Sequence, residues 1–403
     1  MGGGSVKIGI YGGSFNPPHL GHMAAVKAAV NTLGLDRLLI VPAGMPPHKT
    51  MPQGTPTPEQ RLAMAEIMTD QLRLPDAACW DVEIRREGKS YTVDTLKEAN
   101  CRWPAAELWL LMGTDMFLSL QSWYQPEEIM RLAGICAFSR AGEDTETQFE
   151  AQKKFLTESY GAKVVTMSIP ELVEISSTEI RERMGRGEGA EYLHEAVYGY
   201  ILREKLYGTF ANLKRLTNEE LRCVSYSMVK AKRLPHIRGT EEEAVKLAVR
   251  WGGDPEKLRR AAILHDCTKY FSREEHLATC ERYGIVLDDM ERGAEKLLHA
   301  KSGAALAKYC FGQDDEIFQA ILYHTTGRAE MSLSEKILYL ADYIEPNRDF
   351  PEVEEMRKLA YEDLDNAMLM GVRLSIEEML ERNRIVHPNT LGAEKSLLKG
   401  LEA

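Results

Sequence analysis

The chain has 403 residues, which is enough for two or three domains with hydrophobic cores of their own. Its formal net charge of −11 at pH 7 argues against a protein whose main role is to wrap nucleic acid. The chain is 44% hydrophobic and 28% charged, so we expect it to be globular, and no apolar run approaches the ~20 residues of a membrane span. The composition therefore predicts no nucleic-acid partner and no membrane partner, and it leaves open whether the chain forms homo-oligomers.

The start of the chain and its cysteines indicate a cellular compartment. Residues 1–5 have neither the charged nor the apolar region of a secretory signal. The seven cysteines are widely spaced, and no two of them form a Cys-x-x-Cys pair. This pattern is typical of reduced thiols rather than of a disulfide or zinc-thiolate framework, so the sequence predicts a cytoplasmic protein.

From residue 6 to about residue 208, short apolar runs alternate with helical patterns. The runs predicted as strands are residues 6–11, 37–41, 82–84, 107–112, 134–138 and 163–167. Such alternation predicts a doubly wound α/β domain with a parallel sheet covered by helices on both faces. Thr57, Pro58 and Gln60 have the spacing of a capping box with proline at the first helical position, so a helix should begin there. We interpret the long loop 42–56 before it as a substrate-binding lid.

After about Leu213 the strand signals stop, and amphipathic helical patterns follow one another. Within residues 239–252, Ala244, Leu247 and Trp251 recur at helical spacing, behind a predicted capping box of Thr240 and Glu243. The sequence therefore predicts two domains, an α/β domain over residues 1–210 and an all-helical domain over residues 211–403.

The first candidate site begins where the first strand ends. Gly12-Gly13-Ser14-Phe15 is followed by His19 and His22 and by a helical pattern over residues 23–33. Glycines let the backbone approach a ligand closely, and the free N–H groups of a helix start favour bound phosphate. The spacing matches neither a dehydrogenase-type dinucleotide turn nor a P-loop. The two histidines share one face and could bind a triphosphate, although a helix cap plus a core histidine is the alternative.

A second segment lies near the end of the same predicted domain. Ser176 and Glu179 have capping-box spacing, which by itself requires no function. Ser177 and Thr178 would then lie in the first helical turn, with Arg181 one turn further on. Their hydroxyl groups and the guanidinium could converge on an anionic ligand.

Together these two segments resemble the nucleotidylyltransferase superfamily, and within it the bacterial nicotinate-mononucleotide adenylyltransferases, over about residues 6–208. Supporting stretches are Pro46-Pro47-His48-Lys49, residues 90–96, and Gly113-Thr114-Asp115 followed by Trp123. Ser139-Arg140-Ala141-Gly142 departs from the Arg-Pro-Gly that is more frequent in that family, but it keeps the arginine.

The resemblance implies a Rossmann-like fold and transfer of an adenylyl group from ATP, which carries Mg²⁺, to nicotinate mononucleotide. It implies a catalytic role for His19, His22 and Arg181. It implies a substrate-binding role for Gly12, Gly13, Ser14, Phe15, Lys49, Thr92, Asp115, Trp123, Arg140, Ser176, Ser177 and Thr178. Nicotinamide mononucleotide as the acceptor, and a cytidylyl- or phosphopantetheine-type transferase, remain alternatives.

The helical half contains six histidines and aspartates that could bind metal. They occupy five predicted helices or helix ends: His236, His265-Asp266, His299, His324 and Asp342. Ligands of this kind, without thiolate, suit iron, manganese or zinc. An aspartate between two sets of histidines can bridge a pair of ions. The alternative is that these are ordinary core or surface residues, but polar pairs at the ends of apolar helices are costly to bury unless a ligand or a hydrogen bond compensates.

This set resembles the HD phosphohydrolase superfamily and, over about residues 216–400, its branch of bacterial symmetrical diadenosine tetraphosphatases. The matching stretches are His265-Asp266-Cys267-Thr268-Lys269, His324-Thr325-Thr326-Gly327 and residues 341–348. The resemblance implies a two-metal centre of iron, with manganese as the alternative, that hydrolyses diadenosine tetraphosphate to two ADP. His236, His265, Asp266 and Asp342 would bind one ion, and Asp266, His299 and His324 the other.

The same resemblance implies roles for residues around the metals. Lys269 would act in catalysis by holding phosphate, together with Arg348, although Lys269 could equally be a solvated charge. Thr325, His387 and Asn389 would contact the nucleotide. A regulatory module that binds nucleotide without turnover, and a hydrolase of a cyclic dinucleotide or a nucleoside triphosphate, remain the alternatives.

Overall fold

The computed structural model describes residues 5–45, 54–139, 143–169 and 176–402. The chain divides into two units, Met1–Phe210 and Ala211–Ala403. Within the described ranges, every helix is too short or too polar to cross a membrane. The predicted lid falls largely on residues 46–53, which lie outside the described residues.

The first unit is built on a six-stranded parallel sheet with the order β3-β2-β1-β4-β5-β6. Its strands are β1 (Lys7–Gly13), β2 (Arg37–Pro42), β3 (Ala77–Cys79), β4 (Glu107–Gly113), β5 (Ala133–Ser139) and β6 (Val164–Ser168). The chain adds strands on one side of β1 and then returns to add β4 on the other side. The carboxyl ends of β1 and β4 therefore meet where the winding reverses, which is where open α/β sheets bind ligands.

Helices cover both faces of this sheet. They are α1 (Leu20–Leu33), α2 (Pro58–Gln71), α3 (Val82–Arg85), α4 (Thr92–Arg102), α5 (Thr114–Leu118), α6 (Pro126–Leu132), α7 (Glu143–Tyr160), α8 (Ser177–Met184) and α9 (Glu195–Glu204). Side chains that alternate along the strands enter two separate cores, so that Ile8 and Ile10 pack on one face and Tyr11 on the other. The predicted α/β doubly wound class is confirmed.

The predicted start of α2 is also confirmed. The Thr57 hydroxyl accepts a hydrogen bond from the Gln60 backbone N–H at 3.2 Å, and the Gln60 side chain accepts one from the Thr57 N–H at 3.0 Å. The predicted strand at residues 82–84 is wrong, because these residues form the short helix α3. The edge strand is instead Ala77–Cys79, whose small side chains lack the β-branched pattern by which strands are recognised in a sequence.

The second unit is helical throughout the residues described. Its helices are α10 (Asn218–Tyr226), α11 (Leu234–Trp251), α12 (Pro255–Leu264), α13 (Arg273–Arg282), α14 (Asp289–Gly293), α15 (Glu295–Tyr309), α16 (Asp315–Tyr323), α17 (Leu333–Ile344), α18 (Val353–Glu362), α19 (Leu364–Glu381) and α20 (Pro388–Leu401). The predicted all-helical class of this half is confirmed. Helices α11, α12, α15, α16 and α17 pack against one another and bring their polar ends to one place.

The predicted capping box of Thr240 and Glu243 is wrong. Helix α11 begins six residues earlier, at Leu234, and continues through both residues to Trp251. Thr240 is fully buried in the helix interior, and its hydroxyl lies 3.4 Å from Nε2 of His236. A capping-box pattern is short enough to occur inside a helix, where packing rather than the pattern sets the boundary. As a consequence, His236 lies in the first turn of α11 rather than before it.

Candidate functional sites

The carboxyl end of β1 continues into the glycine-rich turn that leads to α1. Gly12 and Gly13 are the last residues of the strand, and Ser14 and Phe15 follow. The turn places His19 at the N-cap of α1 and His22 in its first turn. The ring centroids of the two histidines are 3.7 Å apart, so both imidazoles lie side by side at the ligand-binding edge of the sheet.

His22 is held in one tautomer. Its Nδ1 accepts a hydrogen bond from the backbone N–H of His19 at 3.1 Å, so the proton of the neutral ring is on Nε2. Burial, and then the neighbouring His19, lowers the pKa of His22 well below its usual value. The ring therefore stays neutral at pH 7 and offers an N–H donor, a group that can stabilise negative charge on a reacting phosphate.

The late motif contains the predicted helix cap. The hydroxyl of Ser176 accepts a hydrogen bond from the Glu179 backbone N–H at 3.2 Å. The backbone N–H of Ser176 donates to the Glu179 carboxylate at 2.8 Å. Thr178 lies in the first turn of α8 and is exposed. The capping box predicted from the spacing is confirmed, and it leaves the hydroxyl groups of the following residues available for other contacts.

Helix α8 docks on the turn after β1. The Ser177 hydroxyl donates to the carbonyl of Pro17 at 3.1 Å, across 160 residues of sequence. The Arg181 guanidinium donates to the carbonyl of Asn16 at 2.7 Å and to Oγ1 of Thr178 at 2.9 Å. The structure thus brings the two motifs into direct contact, with a guanidinium, hydroxyl groups and two imidazoles around one turn.

Asn16 and Tyr207 also belong to this contact, and the sequence analysis did not single them out. The Tyr207 hydroxyl donates to Oδ1 of Asn16 at 2.8 Å, and Asn16 is 2% exposed. The two residues are 191 positions apart, so no local pattern could have paired them. This hydrogen bond ties the end of the unit to the loop that carries the histidines.

Three of the predicted substrate-binding residues, Thr92, Asp115 and Trp123, lie in turns or first helical turns of the same unit. Asp115 is in the first turn of α5, directly after β4, which is the neighbour of β1 in the sheet. Thr92 begins α4, and Trp123 follows the short turn Leu120–Ser122. Tyr91 and Tyr124, the chain neighbours of Thr92 and Trp123, have ring centroids 4.7 Å apart. Lys49 and Arg140 lie outside the described residues.

In the second unit, the six predicted metal ligands lie within a few ångströms of one another. Nε2 of His236 is 3.2 Å from Nε2 of His265 and 3.0 Å from Oδ1 of Asp342. Nε2 of His299 is 3.2 Å from Nε2 of His324. The five helices that carry these residues place their donor atoms in two neighbouring groups.

Asp266 lies between the two groups. Its Oδ2 is 3.8 Å from Nε2 of His236 and 3.7 Å from Nε2 of His265. Its Oδ1 is 3.1 Å from Nε2 of His299 and 4.0 Å from Nε2 of His324. The carboxylate is fully buried, and each of its oxygens faces one pair of histidines. This is the arrangement by which one carboxylate can bridge two metal ions.

The orientation of the imidazoles also fits metal ions. Nδ1 of His265 contacts the carbonyl of Ala262 at 2.6 Å, and Nδ1 of His324 contacts the carbonyl of Ile321 at 2.7 Å. Carbonyl oxygens only accept, so each Nδ1 carries the proton and each Nε2 presents a lone pair to the centre. These two lone pairs face Nε2 of His236 and Nε2 of His299, each at 3.2 Å, so that each pair of rings could share one cation. The residues present therefore fit a metal centre.

Burial keeps most of these imidazoles neutral. It lowers the pKa of His265, His299 and His324 to about 4. Although burial opposes ionisation of Asp266, His265 and His299 hold the pKa of this carboxyl well below its usual value. Burial also opposes charge on His236, but hydrogen bonds with Asp342 and Glu345 outweigh it and raise its pKa. Neutral imidazoles and ionised carboxylates are the forms that bind metals.

Three cationic side chains surround the two aspartates. Arg348 donates to Oδ1 of Asp342 at 2.7 Å, and Nζ of Lys269 is 3.5 Å from Oδ1 of Asp266. Arg233, which the sequence analysis did not single out, forms a close ion pair with Oδ2 of Asp266. These positive charges at the edge of the donor set could hold the phosphates of a substrate.

Glu345 is a further residue whose role sequence reasoning missed. Its Oε1 accepts a hydrogen bond from Nδ1 of His236 at 3.1 Å, and its Oε2 accepts one from the backbone N–H of Asn347 at 2.7 Å. The carboxylate is 1% exposed, so it fixes the His236 ring from behind. The contact spans 109 residues of sequence, so no local pattern could have paired Glu345 with His236.

The predicted nucleotide contacts of the second unit differ in their surroundings. The Thr325 hydroxyl is buried and has no hydrogen-bond partner among the described residues. His387 uses both ring nitrogens, since Nδ1 accepts from the Asn389 N–H at 3.1 Å and Nε2 lies 3.0 Å from Oδ2 of Asp288. Asn389 lines a surface cavity beside Lys301. Their contact with a nucleotide stays a prediction.

Comparisons with known proteins divide at the same place as the structure. The sequence pattern of the cytidylyltransferase-like family matches residues 10–183, and that of the HD domain matches residues 233–347. A probable nicotinate-nucleotide adenylyltransferase of Carboxydothermus hydrogenoformans is 36% identical over 204 residues, which are 50% of this chain and 98% of that protein.

The second half has its own relatives. A symmetrical bis(5′-nucleosyl)-tetraphosphatase of Halalkalibacterium halodurans is 41% identical over 167 residues, which are 41% of this chain and 89% of that protein. The crystal structure of a predicted HD superfamily hydrolase involved in NAD metabolism, from Clostridium acetobutylicum, is 38% identical with a TM-score of 0.45 and covers 46% of this chain and 98% of that one. The chain therefore belongs, in its first half, to the nicotinate-nucleotide adenylyltransferase family and, in its second half, to the HD-domain family of the symmetrical bis(5′-nucleosyl)-tetraphosphatases.

Proposed function

We propose that the first unit transfers the adenylyl group of ATP to nicotinate mononucleotide, forming nicotinate adenine dinucleotide and pyrophosphate. The observation that carries this proposal is the convergence of His19, His22 and Arg181 on the turn at the end of β1. A phosphate oxygen of the mononucleotide attacks the α-phosphorus of ATP. The bond from that phosphorus to the bridging oxygen breaks, and pyrophosphate leaves with the Mg²⁺ that entered with ATP. We propose nicotinate rather than nicotinamide mononucleotide as the acceptor because the relatives are named nicotinate-nucleotide adenylyltransferases.

The residues of the turn supply binding and electrostatic stabilisation in this proposal. Neutral His22 donates its Nε2–H to a phosphate oxygen as charge develops at the α-phosphorus, beside His19. The N-terminus of α1 adds backbone N–H groups and the positive end of its dipole. Arg181 places a permanent positive charge beside the same turn, where it favours the leaving pyrophosphate. Thr92, Asp115 and Trp123 receive the mononucleotide.

A product assay tests the first reaction. The protein is incubated with Mg²⁺, with ATP or CTP as the donor, and with nicotinate or nicotinamide mononucleotide as the acceptor. We expect nicotinate adenine dinucleotide to be the main product. If the main product came from nicotinamide mononucleotide, that compound would be the acceptor instead. A product from CTP would support a cytidylyltransferase. No dinucleotide from any combination would refute the proposal.

We further propose that the second unit hydrolyses diadenosine tetraphosphate symmetrically to two ADP. Asp266 carries this proposal, because its two oxygens face two different pairs of histidines. When bound there, a pair of metal ions supplies Lewis acidity and lowers the pKa of water; we propose iron, with manganese as the alternative. His236, His265 and Asp342 would hold one ion with Asp266, and His299 and His324 would hold the other with it.

The chain's own cations would hold the polyphosphate in this reaction. Lys269, Arg348 and Arg233 border the donor set, and their charges match a substrate with four phosphates. Glu345 keeps the proton of His236 on Nδ1, so that Nε2 has a lone pair for a metal ion. A regulatory module that only binds nucleotide would not need two fully built donor groups, which favours turnover.

Metal analysis followed by a substrate panel tests the second reaction. Protein purified without oxygen should contain about two metal ions per chain and should release ADP from the dinucleotide. Asp266→Asn should lose both properties, whereas the exposed Asp289→Asn should keep them. A metal-loaded protein that releases no ADP would favour the regulatory module, and faster turnover of a cyclic dinucleotide or a nucleoside triphosphate would replace the substrate.

We also propose that both reactions occur in the same chain, in the cytoplasm, where its seven free cysteines are kept reduced. Two variants of the full chain separate the activities. His22→Ala should lose adenylyl transfer and keep ADP release, and Asp266→Asn should show the reverse. Loss of both activities in either folded variant would argue against two independent sites.

A further inference from the structure

Arg61 is a buried cation in the first unit that the proposed mechanism does not use. It is the fourth residue of α2, and only 2% of its surface is exposed. Its guanidinium forms no ion pair within the described part of the chain. Burial of a charge is unfavourable unless other groups compensate for it, so the position calls for an explanation.

The contacts of Arg61 lie at the ligand-binding edge of the sheet. Its Nη1 donates to the carbonyl of Ser14 at 2.9 Å, and its Nη2 donates to the carbonyl of Gly44 at 3.1 Å. Ser14 follows β1 and Gly44 follows β2, so one guanidinium ties together the loops after two neighbouring strands. Its Nε is also buried, and it has no hydrogen-bond partner among the described residues.

The bond to Ser14 determines which way the next peptide group faces. In a trans peptide the C=O and the following N–H point in opposite directions. Because the Ser14 carbonyl faces Arg61, the backbone N–H of Phe15 faces away from it. That N–H has no acceptor among the described residues. Phe15 also has a φ of 44°, a conformation that a bulky residue adopts only when its surroundings hold it.

We propose that Arg61 is a positioning residue for the triphosphate of ATP. By holding the Ser14 carbonyl, it directs the Phe15 N–H towards the bound phosphates, and it adds a fixed positive charge behind the same peptide group. Arginine remains protonated in proteins, and a charge in a poorly solvated place acts over a longer range than one in water. This inference rests on the proposed function of the first unit. Arg61 does not itself touch the reacting atoms.

Nucleotides of different charge test the proposal. Binding of ATP, ADP and AMP to the full chain is measured by calorimetry at one ionic strength for the wild type, Arg61→Met and Arg61→Lys. In Arg61→Met we expect ATP to bind about tenfold more weakly or worse, which is the scale of a lost hydrogen bond to a charged group. The loss should be smaller for ADP and smallest for AMP. Arg61→Lys should fall between, because an ammonium keeps the charge but cannot hold both carbonyls.

Arg131→Met is the matched control, since it removes one positive charge from an exposed arginine of the same unit. It should bind all three nucleotides as the wild type does. Equal affinities in Arg61→Met and the wild type, or a loss of the same size for ATP, ADP and AMP, would overturn the proposal. If Arg61→Met does not fold, Arg61→Lys decides, and ATP binding equal to that of the wild type would then overturn it. A wild type that does not bind ATP would instead refute the proposed function.

Discussion

Replacing Gly239 by alanine should disturb the metal centre through a residue that is not a metal ligand. Gly239 lies one turn after His236 in α11, and a Cβ at this position would lie 2.2 Å from Oε2 of Glu345 and 3.1 Å from Nδ2 of Asn347. Ordinary contacts between such atoms are near ~3.5 Å, so the carboxylate would have to move by about 1 Å. It is 1% exposed, so this movement would have to occur in the interior of the unit.

Two effects of this substitution oppose each other in the free energy of unfolding. Alanine in place of glycine favours a helix by about 1 kcal/mol. Displacing Glu345 would weaken its hydrogen bonds with His236 and Asn347 and costs about 1–3 kcal/mol. The expected net change is a loss of roughly 0–2 kcal/mol. Affinity for metal should fall by about 10–100-fold, the scale expected when the partner that orients a ligating histidine is lost.

Competition with a chromophoric chelator measures the affinity, and urea unfolding measures the stability. Gly293→Ala in the same unit is the control, because a Cβ there meets no heavy atom within 4 Å in the described part of the chain. Glu345→Gln should lower metal affinity without the steric clash. If Gly239→Ala bound metal as tightly as the wild type and were more stable by about 1 kcal/mol, the contact between Glu345 and His236 would be dispensable.

Three further predictions concern the two sites. His22→Ala should reduce adenylyl transfer by at least ~100-fold, as expected for a lost transition-state donor, and unchanged turnover would remove His22 from the mechanism. Arg181→Met should raise the KM for ATP about tenfold, because a charged contact beside the turn is lost, and an unaltered KM would contradict that role. Metal binding at pH 7 should release no more than about one proton, measured by calorimetry in buffers of different ionisation enthalpy. The raised pKa of His236 leaves this ring partly protonated, whereas His265, His299 and His324, with a pKa of about 4, are already neutral at pH 7. Release of three or four protons would refute this prediction.

The two sites use neutral imidazoles in opposite ways, and the partner of Nδ1 makes the difference. In the first unit, Nδ1 of His22 accepts from a backbone N–H, so Nε2 carries the proton and can donate to a phosphate. In the second unit, Nδ1 of His265 and of His324 donates to a backbone carbonyl, so Nε2 presents a lone pair to a metal. Burial lowers the pKa of all three rings. They therefore stay neutral at pH 7, as both the hydrogen-bond donor and the metal ligands require.

Signals that span only a few residues could be interpreted from the sequence. The capping boxes at Thr57 and Ser176 depend on contacts between a residue and its third neighbour, and both are present in the structure. The alternation of strands and helices likewise predicted the parallel sheet, because a buried strand and an amphipathic helix have different hydrophobic periods. The same reasoning failed at Thr240, where a local pattern occurs inside a longer helix.

The sequence by itself determined the class of each half, the positions of its polar motifs and the chemistry that their side chains allow. Only the tertiary structure decided that each oxygen of Asp266 faces its own pair of histidines and that Glu345 orients His236 across 109 residues. It also decided that Arg61 holds the turn after β1. The physical reason is that hydrophobic periodicity and helix caps arise within one element, whereas such contacts exist only after several elements have packed together and excluded water between them.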